Sequence, residues 1–257
     1  MSSKKQIEIL KIEKDKKKFI VTTNEKEYKF DEDIIVEFMI LKGKVFTDTE
    51  FKKIIKASEV NDLFDKALHY ISFAQRSEYE IYCYLGEKGA NDDEKKKIIK
   101  KLKDFGYIDD NSLANYLFDY EVRQKKGPNH LRNKLNEKKI NQEIIDEVVS
   151  RYNSEIEQEV IDKLMTSIIK RNNDKPAKIQ KLHAYEKLMR DGFRSDAINH
   201  VLNYVEFVDE PIKKLPLEIE KLEYKYRDLD KNKKREKMIA SLLRKGYEYS
   251  VVSKYLD

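Results

Sequence analysis

Four histidines, one cysteine and seven glycines carry most of the chemistry open to this 257-residue chain. His69, His130, His183 and His200 lie far apart, with no HExxH and no Cys/His cluster at metal-ligand spacing, so no metal site is expected. Neither a Walker loop nor GxGxxG is present, and the glycines fall mainly at expected helix ends, so no nucleotide or other cofactor is expected. Asp109 and Asp110 are adjacent carboxylates of the kind used in acid–base or metal chemistry. They follow Gly106 at the start of a new helix, however, and Asp110 or Asn111 is expected to cap the helix that carries Leu113, Ala114 and Leu117. Cys83 sits among Ile81, Tyr82, Tyr84 and Leu85 and is expected to be a small buried hydrophobe. As the only cysteine it can form no internal disulfide, which suits a reducing compartment. The residues therefore point to a protein that is not an enzyme.

Charge is the next candidate for function. Charged residues make up 39% of the chain and apolar residues 40%, against about 25% charge in an average domain. The net +5 is a small difference between 53 basic and 48 acidic residues, so global charge alone does not make a nucleic-acid binder. Two local clusters are candidate contacts for an anionic partner. Arg123, Lys125, Lys126, Arg132 and Lys134, with His130, surround the expected helix start at Gly127-Pro128, and helix N-termini can bind anions. Lys231, Lys233, Lys234, Arg235 and Lys237 form the other. Lysines 95, 96, 97, 100, 101 and 103 fill a helix face opposite an apolar stripe and read as a solvated surface. The 16 tyrosines mostly fall on apolar stripes, where a half-buried core role is expected. Without a regular aromatic series, DNA contact is expected to be salt-sensitive and weakly sequence-specific.

The elements that position these residues are mostly helical, because glycine and proline are scarce, with 7 and 4 copies. The start is different. Gln6 to Glu13 alternates apolar and polar residues, Lys18 to Thr23 is β-branched and aromatic, and Thr23 to Lys26 turns into Glu27 to Phe30. A small sheet is expected there, with Asp31 capping a short helix, a further strand near Val45-Phe46, and Asp48 capping the next helix. From about Val60 onward the chain repeats itself. Leu85 with Gly89, Leu135 with Lys139, Leu188 with Gly192 and Leu242 with Gly246 are equivalent helix ends spaced 50, 53 and 54 residues apart.

Each anchor has similar surroundings. Ser77 to Glu80 and Asn91 to Glu94 are capping boxes, and Gly89 and Gly106 end the helices that follow them. Tyr107 and Ile108 are expected to seal the interface to the next unit. Asn141 and Ser195 are expected caps in the second and third units, and Lys175-Pro176 opens a helix. Pro211 and Pro216 mark a linker before a fourth unit. The expected architecture is mainly α, with tandem three-helix, helix-turn-helix-like repeats forming an elongated array behind a small β-rich domain. The boundaries are 1–58 for the β-rich part and 59–110, 111–153, 154–209 and 215–257 for the repeats.

Ala67-Leu68 through Arg76-Ser77-Glu78, the Leu85-Gly-Glu-Lys88-Gly89 turn, and Gly106-Tyr107-Ile108-Asp109-Asp110 followed by Leu113-Ala114 resemble the RecX family. The resemblance covers about residues 60 to 205; Lys139 departs from the usual glycine. It implies a protein that lies in the groove of a RecA–DNA filament, touches successive RecA protomers and inhibits the filament's ATPase, strand exchange and coprotease functions. It also implies a role in DNA repair and recombination. DNA, single- or double-stranded, is the expected secondary contact. A monomer in the cytoplasm is expected, since no segment approaches the roughly 18 to 20 apolar residues of a membrane span and the start has no signal-peptide run. The alternatives are a stand-alone DNA-binding repeat protein and a scaffold for an unrelated protein.

Overall fold

Alternation and β-branching at the start produce the expected sheet. The computed structural model describes residues 6–172, 175–207 and 214–256. Strands β1 (Gln6–Asp15), β2 (Lys18–Thr23), β3 (Glu27–Asp31) and β4 (Val45–Thr47) form an antiparallel sheet in the order β3-β2-β1-β4. A bulge interrupts the alternation of β1. Ile9 pairs with Thr23 and Lys11 with Thr22, so Leu10 is skipped and points to solvent while Ile9 is fully buried. Ile7, Ile9, Val21, Phe30 and Phe46 pack with Ile34 of α1 (Glu32–Glu37) and with Phe51 and Ile54 of α2 (Asp48–Phe73).

Helix α2 is one continuous element of 26 residues. Its first half belongs to the sheet's core. Its second half supplies Leu63, Phe64 and Ala67 to a second cluster with Ile81 and Leu85 of α3 (Glu78–Glu87), Ile98 and Leu102 of α4 (Asp92–Asp104), and Ile108. Both capping boxes are present: Ser77 and Asn91 accept from the amides of Glu80 and Glu94, whose carboxylates return to the cap amides. Two caps here differ from expectation: Asp31 stands at the start of α1 but its side chain makes no capping hydrogen bond, and Asp48 does not cap α2. Thr47 caps α2 through a capping box with Glu50, because its extended backbone lets Oγ1 face inward, while Asp48 is already helical.

The chain divides into two compact units, Met1–Leu113 and Ala114–Asp257. The second contains most of α5 (Asp110–Arg123), then α6 (Pro128–Glu137), α7 (Gln142–Ser150), α8 (Ser154–Asn172), α9 (Ala177–Arg190), α10 (Ser195–Tyr204), α11 (Leu215–Lys225), α12 (Lys231–Arg244) and α13 (Tyr249–Leu256). Three-helix groups recur. Val160, Ile161 and Met165 of α8 pack with Ala184 and Leu188 of α9 and with Ile198 and Val201 of α10. Leu215 and Leu222 of α11 pack with Met238 and Leu242 of α12, Tyr247, and Val252 of α13. Pro216 is not in a linker: it occupies the first turn of α11, where a missing amide breaks no helical hydrogen bond. Pro211 lies outside the described residues.

Candidate partner-binding surface

The leucine turns are the same structure four times over. Leu85, Leu135, Leu188 and Leu242 are each 0% exposed. Each carbonyl accepts from the amide five residues on, that of Ala90, Ile140, Phe193 or Tyr247, at 3.0–3.2 Å. The intervening Gly89, Lys139, Gly192 and Gly246 have φ of +88°, +54°, +87° and +90° and donate back to the third residue before them. This is the Schellman closure of a helix end. Lys139 therefore keeps the geometry of its glycine counterparts and accepts left-handed strain to do so. Lys139→Gly is expected to raise stability by about 1 kcal/mol, since relief of that strain outweighs the added freedom of glycine in the unfolded chain. Urea melts check this, and an unchanged or lower midpoint would contradict it.

Within the second unit, consecutive groups are joined through these turns. The amides of Gly127 and Asn129, orphan donors at the start of α6, bond to the carbonyls of Asp191 and Gly192 at 2.8 and 3.0 Å. Two helix ends thus satisfy each other's unpaired groups. A side chain on Gly127 would overlap the Gly192–Phe193 backbone, and one on Gly192 would overlap that of His130. At the next turn, a side chain on Gly246 would overlap Ile179 in the first turn of α9.

Several candidate cations serve this framework. Lys126 Nζ lies 2.7 Å from Asp191, which is 3% exposed in its side chain and also paired with Lys187. Lys134 Nζ and His130 Nδ1 lie 2.8 and 2.7 Å from opposite oxygens of Glu121, whose side chain is 1% exposed. Arg132 meets Asp146 at 2.6 Å. Burial raises the Asp191 carboxyl pKa, but the hydrogen bonds from Lys126 and Lys187 outweigh it and hold the pKa below the usual range. A folded pKa below the unfolded value near 4 contributes stability in full above that value, and loses it as pH falls through the folded pKa. Asp191→Asn is expected to lower stability at neutral pH and to flatten the acid loss below about pH 4. Thermal melts across pH measure both; an acid limb as steep as the parent's would refute the assignment.

The remaining candidates face outward. Arg123 and Lys125 are exposed and edge a pocket of about 340 Å³ with Phe118, Val122, Ile156, Glu159, Val160 and Lys163. Lys231, Lys233, Arg235 and Lys237 on α12 are exposed and Lys234 is half-buried. Asp230 caps this helix through the Lys233 amide, and Lys233 Nζ lies 3.7 Å from it. No acidic residue occupies the first turn, so the lysines there oppose the positive end of the helix dipole.

Five further expectations change. Asp109, not Asp110 or Asn111, caps α5, accepting from the Asn111 amide at 3.0 Å and from Ser112. Asp110 instead accepts from the Glu78 amide at the start of α3, and burial raises its carboxyl above the usual range despite that bond. Tyr107 is 52% exposed and does not join the core, whereas Ile108 is buried. Ser195 makes no cap; Glu157 of α8 reaches across to the Arg194 amide instead. Cys83 is exposed, and half of the tyrosines (Tyr79, Tyr107, Tyr116, Tyr120, Tyr204, Tyr224, Tyr249 and Tyr255) lie at the surface.

Among the described residues, no group of three or more His, Cys, Asp or Glu is placed to hold a metal, and no helix is long and apolar enough to cross a membrane. Residues 64–102 match the family described as RecX, first three-helix domain. A regulatory protein RecX from Listeria welshimeri is 30% identical over 95% of this chain and 93% of its own length. The chain belongs to the RecX family. A RecX relative from a Geobacillus strain is 28% identical over 90% of the chain and 86% of its own length. A crystal structure of a regulatory protein RecX shares the fold with a TM-score of 0.65 at 23% identity, covering 77% of this chain and 99% of that one. RecX from Lactobacillus salivarius aligns at 0.55, covering 59% of this chain and 99% of its own. The matched span contains the first of the leucine turns, at Leu85 and Gly89.

Proposed function

We propose that this RecX-family chain binds the RecA–DNA filament and inhibits RecA's ATPase, strand exchange and coprotease activities, so regulating DNA repair and recombination. The observation that carries this reading is the near full-length similarity to proteins named regulatory protein RecX. The four repeats at 59–110, 111–153, 154–209 and 215–257 are the units that would meet successive protomers. Repeated weak contacts from several repeats add through effective concentration, so no single contact need be strong. The chain acts in the cytoplasm as a monomer, and DNA is the secondary contact. Arg123 and Lys125, with the α12 cluster, are the cations to mutate first, since Lys126, Arg132 and Lys134 are held by Asp191, Asp146 and Glu121.

The test is RecA-dependent ATP hydrolysis on single-stranded DNA with substoichiometric protein added. Hydrolysis is expected to fall and filaments to shorten; unchanged hydrolysis and filament length would remove the assignment. The lysines crowding the positive end of α12 favour an anionic surface nearby. Reversing Lys231 and Lys233 to Glu is therefore expected to weaken DNA binding and reduce its salt dependence. Tight DNA binding without RecA, with no effect on hydrolysis, would favour the stand-alone DNA-binding role instead.

A further inference from the structure

The first unit contains a groove of about 500 Å³ between α2 and α4, closed at one end by α1. Its floor is apolar, made by Ile34, Ala57, Val60, Phe64 and Ile98. Lysines stand on both rims: Lys53 and Lys56 on α2, and Lys97 and Lys101 on α4. All four are exposed. Lys97 and Lys101 belong to the lysine run that reads in sequence as a solvated face, and the fold turns this part of it onto an apolar trough.

We propose that this groove binds an acidic, amphipathic peptide segment of a partner protein. Charge complementarity selects that occupant. Glu37, Asp93 and Glu94 also line the groove, but Glu94 is committed to the Asn91 amide at 3.0 Å and lies 3.9 Å from Lys56. The lining thus carries four ammonium groups against three carboxylates, of which Glu94 is already engaged by the Asn91 amide and Lys56. Lys53 and Lys97 form no ion pair among the described residues, while Lys101 rests over the Phe64 ring, 4.1 Å from its centroid. The rim lysines are spaced one helical turn apart on each helix, the separation of carboxylates at i and i+4 on a docking helix. An apolar face on the ligand would cover the floor, as in other helix-in-groove complexes. A nucleic-acid backbone would meet the lysines and leave the floor wet, and Phe64 is buried, so it offers no open ring for base stacking. This site lies in Met1–Leu113, apart from the α5–α6 and α12 cations, and does not depend on the RecA reading.

The experiment uses the full chain and a fluorescein-labelled 16-residue peptide with leucines at three- and four-residue spacing and glutamates elsewhere, followed by anisotropy without RecA. The Lys53→Glu/Lys97→Glu variant is expected to lose at least tenfold in affinity with an unchanged thermal melt. Lys231→Glu/Lys233→Glu is expected to stay within twofold of the parent. A scrambled peptide of the same composition should bind at least fivefold more weakly. The proposal fails if the groove variant binds within twofold of the parent, if the scrambled peptide binds equally, or if a 16-nucleotide oligothymidylate displaces the peptide and is itself weakened by the groove variant.

Discussion

Gly192→Ala is expected to destabilise the second unit by roughly 3–5 kcal/mol, at the upper end of single-residue effects. About 1 kcal/mol of this is the cost of holding a non-glycine residue at a left-handed φ; Gly192 sits at +87°. The larger part is steric. The new methyl would occupy the space of the His130 backbone, and neither main-chain segment can rotate away as a side chain would. Relief requires α6 to move off the turn, which breaks the bonds from Gly127 to Asp191 and from Asn129 to Gly192. Gly89→Ala supplies the control: Gly89 has φ +88°, but a side chain there meets nothing within 4 Å, so only the conformational cost of about 1 kcal/mol is expected. Urea unfolding of both variants separates the two contributions. Equal losses would show that the α6 contact contributes nothing to stability.

Glu157→Ala is expected to cost about 1.5–3 kcal/mol, because it removes a charged acceptor shared by the Arg194 amide and guanidinium; the Arg194 side chain is 44% exposed, so water answers its charge once the carboxylate is gone. Glu157 of α8 is 0% exposed and accepts from the Arg194 amide at 2.8 Å and from its Nε at 2.6 Å, with Nη2 2.5 Å from the same carboxylate. It therefore neutralises the guanidinium and caps α10 from a neighbouring helix. Glu157→Gln retains an acceptor for the Arg194 amide and is expected to recover part of the loss. Thermal melts rank the variants: parent, then Gln, then Ala. A Gln variant no better than Ala would mean that charge alone matters at this site.

Features written within a few residues were legible in the sequence, and features that depend on a distant partner were not. The capping boxes at Ser77 and Asn91 and the four leucine turns follow local rules and appear as expected. The cap of α10 does not, because its acceptor lies 37 residues earlier in the chain, on Glu157. The close approach at Gly127 and Gly192 was equally hidden, since neither residue announces the backbone it will meet. Cys83 was misplaced for a reason the sequence did contain. Ile81 and Leu85 share a face four residues apart, and at 100° per residue Cys83 falls on the opposite one. Of the candidate contacts, Lys126, Arg132 and Lys134 keep 31–38% of their side chains exposed but pair with Asp191, Asp146 and Glu121, carboxylates that no local rule of sequence places beside them.

The unbroken α2 makes the sheet and the first helical group share a beam of about 39 Å, at 1.5 Å for each of its 26 residues. Phe51 and Ile54 anchor one end and Leu63, Phe64 and Ala67 the other. No loop lies between the anchors to absorb strain. A load applied to the strands therefore reaches the Ile81–Leu85 cluster directly, and fraying at the middle of this one helix would release both ends at once.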